Sequence, residues 1–181
     1  MKQFWKWEWP ALLVVVAMVA ACGGDSKGKA SVAGGTPAPV NFGEAFTRLE
    51  NAGKLPILDR SDSLAGPDIN ANGVRDDIDR YIDSKPDTQP QKNSLKALSR
   101  SLSRAMTVDT KDPNALRDVA NSINLAVTCM HRTYPSSIAS PKGDEIEKLT
   151  ANTRARYSAY MKFNSAMNGS VMKGLKGVKC D

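Results

Sequence analysis

Between Pro113 and Arg132 the apolar residues fall three or four positions apart: Leu116, Val119, Ala120, Ile123, Val127 and Met130. That spacing lines one side of a helix and matches neither face of a strand. Asp112 before Pro113 reads as an N-cap followed by a proline at the first helical position. The helix is predicted to run to about Arg132, ahead of Pro135. No segment of the chain sustains the alternation a strand needs. The expected fold is therefore all-α, a small irregular bundle of about four to five helices.

The other elements follow from the same signals. Asn41 and Glu44 have capping-box spacing, and Phe42, Ala45, Phe46 and Leu49 repeat at helical intervals, with Gly53 as the expected stop. A short helix is predicted from about Asp76 to Ser84, before Pro86. A clearer one carries Leu95, Leu98, Leu102, Ala105 and Met106. Ser140-Pro141 repeats the Asp-Pro opening device. From it, Ile146, Leu149, Thr153, Arg156 or Tyr157, Tyr160, Phe163 and Met167 line one face as far as Gly169. Tyrosines and methionines at these intervals are expected in the core.

The N-terminal region has a different character. Met1-Lys2-Gln3 and Lys6 make a charged start, and Pro10 to Met18 is apolar but short for a bilayer span. Small residues follow, then Cys22, in the stretch Val19-Ala20-Ala21-Cys22. This resembles a bacterial lipoprotein signal peptide. The resemblance implies cleavage between Ala21 and Cys22, lipidation of Cys22, and attachment to the cell envelope. A second acyl chain on the new N-terminus would make the anchoring stable. An ordinary secretory signal and an uncleaved anchor are the competing readings. Gly23 to Val40, rich in Gly, Ser, Ala and Pro, reads as a flexible tether spanning about 25 Å. The implied organisation is a signal peptide over 1–21, a tether over 22–40 and a helical domain over 41–181. Gly23 after the lipidated cysteine, with no Asp there, favours the outer membrane, facing the periplasm or the cell surface. Trp5, Trp7 and Trp9 all lie in the segment to be removed.

The whole chain carries a net charge of +6, and loss of Lys2, Lys6 and Glu8 takes it to +5. That bias suits an anionic membrane surface and is too small to argue for nucleic acid. With Cys22 taken by lipid, Cys129 and Cys180 remain as an even pair in an oxidising compartment, and a disulfide between them is expected. A metal site from Cys129, His131 and Cys180 is the alternative, one ligand short of the tetrahedral pattern.

The segment from Asp68 to Asp79 has oxygen-bearing side chains at its first, third, fifth, ninth and twelfth positions: Asp68, Asn70, Asn72, Asp76 and Asp79. Gly73 stands at the sixth. Calcium takes six to eight oxygen ligands in flexible geometry. A loop of this kind turns side chains inward, bends at the glycine and adds one backbone carbonyl, here that of Val74. It resembles the calcium loops of the EF-hand, dockerin and thrombospondin type 3 families. Its final Asp79 matches the last two better than an EF-hand, which ends in Glu. Gly66-Pro67 argues against an entering helix. The resemblance implies calcium ligation by Asp68, Asn70, Asn72, Val74, Asp76 and Asp79. With two asparagines in place of acids, the expected dissociation constant is on the order of 10⁻⁴–10⁻³ M. Asx turns and helix capping would use the same residues without an ion.

Lys92, Lys96, Arg100 and Arg104 stand four apart, opposite the leucine stripe. They form either a solvated helix face or a ridge facing phosphates of lipid or lipopolysaccharide, and their mutual repulsion calls for an anionic neighbour. His131 is the lone histidine, and no Gly-x-Ser-x-Gly turn or Cys-x-x-Cys accompanies it. The expectation is a lipid-anchored, non-enzymatic binding or structural module whose partner is an envelope protein or glycolipid. An envelope enzyme or enzyme inhibitor, and an anionic-lipid binder acting through the basic face, are the alternatives.

Overall fold

A computed structural model describes residues 41–172, 175 and 177–180, and gives no account of the Phe42 side chain. The signal peptide, Cys22 and the tether lie outside the described residues. Among the described residues there are six α-helices and no strand: α1 (Phe42–Asn51), α2 (Asp76–Asp83), α3 (Gln89–Thr107), α4 (Pro113–Thr133), α5 (Ser136–Thr150) and α6 (Arg154–Ala166). Pro39–Asp181 forms one compact unit.

The caps match the sequence signals where these are local. The Asn41 side chain accepts the Glu44 N–H at 2.8 Å, and Asp112 Oδ1 accepts the N–H groups of Asn114 and Ala115 at 2.9 and 3.2 Å. Each satisfies an otherwise orphaned donor of the first turn. Gly53 takes a φ of 67° just past α1, where a side chain would be strained.

The C-terminal region departs from expectation. The helix predicted to open at Ser140-Pro141 begins at Ser136 instead, directly after Pro135, and runs through Pro141. Pro141 supplies no N–H to the carbonyl of Ser137, and both residues are exposed, so water meets the unpaired group. The stripe that reads as one helix to Gly169 is broken at 151–153. There the Thr153 hydroxyl caps α6 by accepting the Arg156 N–H at 3.2 Å. This break makes six helices of an expected four to five.

Two apolar clusters hold the bundle. One gathers Val74, Ile78 and Ile82 with Leu95, Leu98 and Leu102 of α3, together with Met130, Tyr134 and Ile146. The other joins Ala105, Leu116, Val119, Ala120 and Phe163 between α3, α4 and α6. Cys129 on α4 and Cys180 in the C-terminal segment form a disulfide, with Cα atoms 5.4 Å apart. No free thiolate is left there to act with His131 on a metal.

A buried polar network ties the chain before α2 to the α5–α6 junction. Arg75 Nε donates to Asp77 Oδ1 at 2.5 Å and its Nη2 to Asp77 Oδ2 at 2.9 Å. The same guanidinium donates to the carbonyls of Thr150 and Leu149 at 3.2 and 3.0 Å. It thus places a cation at the C-terminus of α5, where the helix dipole is negative. Asp77 Oδ2 also accepts the Asp59 N–H at 2.6 Å. The Asp59 carboxylate pairs in turn with Arg156, which is 0% exposed and also donates to the Asp59 carbonyl at 2.7 Å and to Asn152 Oδ1 at 2.9 Å. Gly66, at φ 70°, leaves room for this arrangement: a Cβ there would lie 2.3 Å from Arg75 Cδ.

Candidate functional site: the Asp68–Asp79 loop

The loop turns tightly because its side chains hold its own backbone. Asp68 Oδ1 accepts the Asn72 N–H at 3.1 Å, and Asp68 Oδ2 accepts the Gly73 N–H at 2.8 Å. Asn70 Oδ1 accepts the Asn72 N–H at 3.1 Å, and Asn72 Oδ1 accepts the Val74 N–H at 2.7 Å. The two asparagine bonds are Asx turns, enclosed by the longer closures from Asp68. From the far end, Asp76 Oδ1 accepts the Ile69 N–H at 3.1 Å. Ala71 at φ 52° and Gly73 at φ 78° supply the left-handed turns. The Val74 side chain is fully buried and anchors the loop to the first core cluster.

Asp79, in the first turn of α2, is where the loop converges. Its Oδ2 accepts from Asn72 Nδ2 at 3.0 Å and from Asn70 Nδ2 at 3.3 Å. Its Oδ1 lies 2.9 Å from Lys96 Nζ, yet this buried oxygen has no hydrogen-bond donor in line with it among the described residues. The two nonetheless form an ion pair at that distance. Burial pushes the Asp79 carboxyl up. The Lys96 ammonium and the amides of Asn72 and Asn70 outweigh it, so the group ends below its ordinary 3.8. Lys96 answers in kind: burial pushes it down, and Asp83 and Asp79 pull it above its ordinary 10.5.

Asn70, Asn72 and Asp79 are thus brought into direct contact, while Asp68 and Asp76 hold the loop backbone. Among the described residues, no three His, Cys, Asp or Glu side chains gather as they would around a bound metal ion. The potential donors are nonetheless all hard oxygens, the kind calcium takes: three carboxylates, two amide oxygens and the Val74 carbonyl. Each asparagine oxygen keeps a second lone pair beyond the N–H it accepts, and Asp79 Oδ1 is buried against the Lys96 ammonium. The donor types are those calcium takes, while the Lys96 ammonium holds one of the Asp79 oxygens.

The basic ridge is the feature that sequence reasoning left open. Lys96 bridges Asp79 and Asp83, at 2.9 and 2.8 Å. Lys92 Nζ donates to the Asp83 carbonyl at 2.7 Å, and Arg100 Nε to the Asn72 carbonyl at 2.7 Å. The anionic neighbour that relieves the repulsion is the protein's own α2 and its loop. Arg104 is exposed. His131 is exposed in the last turn of α4, beside a cavity of about 190 Å³. A wider one of about 520 Å³ lies between the first half of α4 and the segment after α6, and shares no lining residue with the loop.

No protein-family model matches this sequence, and comparison with curated proteins and with solved structures finds no match. Among the described residues no helix is long and apolar enough to cross a membrane.

The acid side of the loop has a measurable consequence. Asp79 and Asp59 both have folded pKa values below 3.8, Asp59 because Arg156 and Ser61 outweigh the upward push of burial. A depressed carboxyl contributes stability that is present above its unfolded pKa and is lost as pH falls through its folded one. The thermal midpoint is therefore expected to hold between about pH 7 and pH 5 and to fall below about pH 4. Circular dichroism melts across that range check this, and Asp79→Asn is expected to shallow the fall. An equally steep fall in that variant removes Asp79 from the account.

Proposed function

We propose that the protein is a lipid-anchored component of the cell envelope, acting as a non-enzymatic binding or structural module whose Asp68–Asp79 loop takes a structural calcium ion. The ion would be held by Asp68, Asn70, Asn72, Asp76 and Asp79 with the Val74 carbonyl, and would fasten the loop to α2. The observation that supports the calcium reading is the convergence of Asn70 and Asn72 on Asp79 in a loop that carries six hard oxygen donors, with Lys96 holding the other Asp79 oxygen at 2.9 Å. Bound calcium supplies positive charge there, and the chain's own residues do the rest: they order the turn and present it on the surface. Ile69 stands at its tip, 91% exposed. The anchoring reading rests on the Val19–Cys22 stretch, and the partner is another envelope component, a protein or glycolipid.

Calcium at about 10 mM is expected to stabilise the chain by about 1.4–2.7 kcal/mol if the dissociation constant is on the order of 10⁻³–10⁻⁴ M. For a domain of this size that is a rise of roughly 3–8 °C in thermal midpoint. Asp68→Ala is expected to remove the gain, and magnesium to give none. No gain in the unaltered protein leaves the loop as hydrogen-bonded turns alone. Labelled palmitate, followed to Cys22 by mass spectrometry, tests the anchor independently. A chain cut elsewhere and carrying no lipid would sink the envelope assignment.

A further inference from the structure

The 190 Å³ cavity between α4 and α5 is unlike the Asp68–Asp79 loop in every respect. Its inner wall is apolar, made by Leu98 and Leu102 of α3, Ile123 and Met130 of α4, and Ala139 of α5. Leu98, Leu102, Met130 and Ala139 are themselves buried, so the cavity reaches the first core cluster. Its mouth carries Asp144 and Glu147 on successive turns of α5, both exposed, with Tyr160 of α6 between wall and mouth. No lysine or arginine lines it.

Two features of α5 stand beside this space. Gly143 sits inside the helix, where glycine is less favourable than alanine. A Cβ at Gly143 would meet only the Met130 methyl at 3.2 Å and Leu98 Cδ2 at 3.8 Å, both ends of flexible side chains. Two residues earlier, Pro141 takes one rung out of the same helix. Gly143 thus lets α5 pack closely on Met130 and Leu98 at the edge of the cavity.

We propose that this cavity binds an organic amine carrying one ring-sized apolar arm. Size sets the arm: an apolar cavity of about 150 Å³ is enough to take up benzene, and this one is slightly larger. Charge sets the head. Two carboxylates at the mouth, with His131 and no lysine or arginine among the lining residues, favour an ammonium and disfavour a carboxylate or phosphate. The Tyr160 ring adds a π face to the same entrance, while its hydroxyl donates to Glu147 Oε2 at 3.2 Å and orients that carboxylate. This site shares no residue with the calcium loop and does not depend on it.

The test uses the full chain in phosphatidylcholine nanodiscs, with methionine methyl groups labelled with carbon-13 and the Met130 signal identified by its loss in Met130→Leu. 2-Phenylethylamine is expected to shift the Met130 methyl resonance saturably, with a dissociation constant on the order of 1 mM. Phenylacetate, of similar shape and opposite charge, is expected to bind at least about tenfold more weakly. Asp144→Asn with Glu147→Gln is expected to weaken the amine by about tenfold and leave benzyl alcohol unchanged. Both positions are exposed, so the pair tests the head group without disturbing the core. Equal shifts from amine and carboxylate overturn the choice of ligand. A Met130 signal unmoved at about 10 mM amine, or moved no differently in the doubly neutralised variant, overturns the site.

Discussion

Arg75→Met is expected to lower the stability of the helical domain by roughly 3–5 kcal/mol, the effect of leaving one member of a buried ion pair without the other. Arg75 and Asp77 have side chains only 1% and 3% exposed. Methionine fills much of the same volume but returns none of the hydrogen bonds. Asp77 is left as a buried charge, and the carbonyls of Leu149 and Thr150 lose the guanidinium that ends α5. Domains of this kind are stable by only about 5–15 kcal/mol in total, so the variant stands near the edge of folding at ambient temperature. Urea denaturation followed by helical circular dichroism measures it. Arg75→Met with Asp77→Asn is expected to lose less than the two single variants added together, because the uncompensated charge is gone. Additive losses, or a loss under about 1 kcal/mol in the single variant, would show that the pair contributes little.

The disulfide is the second large effect. Joining Cys129 to Cys180 closes a stretch with a sequence separation of 51. Chain entropy alone assigns such a closure about 4 kcal/mol, by restricting the unfolded chain. Cys129→Ala with Cys180→Ala is expected to approach that figure as an upper limit, since an unfolded chain retaining local helix gains less freedom. The loss should centre on the segment after α6. Among the described residues, the Arg132 guanidinium also ties that segment to α4, donating to the Val178 carbonyl. Hydrogen exchange distinguishes the cases: protection is expected to vanish first around 168–180 while α3 and α4 keep theirs. Unchanged denaturation midpoints in the double variant would mean that the bond adds nothing to the folded domain.

Elements set by neighbours in the chain could be read directly from the sequence. The caps at Asn41 and Asp112 reach two or three residues along, and the nested turns from Asp68 to Val74 close within five. The Leu95–Met106 and Leu116–Met130 stripes declare α3 and α4, because a helix with one apolar side has only one way to bury it. The pairing of Cys129 with Cys180 needed only the count of cysteines and the compartment implied by the Val19–Cys22 stretch.

Only the folded chain decided the rest. The choice between Arg156 and Tyr157 on the inner face of α6 went to the arginine, since its partners at Asp59 and Leu64 arrive from 97 and 92 positions away. The four-spaced basic ridge is a repelling surface in isolation and a clamp once α2 and its loop lie against α3. At the break at 151–153 the last carbonyls of α5 are taken by Arg75, up to 75 positions upstream. Periodicity and capping are properties of consecutive residues and survive in a sequence read alone. A buried charge is stable only beside its counter-charge, and that proximity does not exist until distant segments have packed.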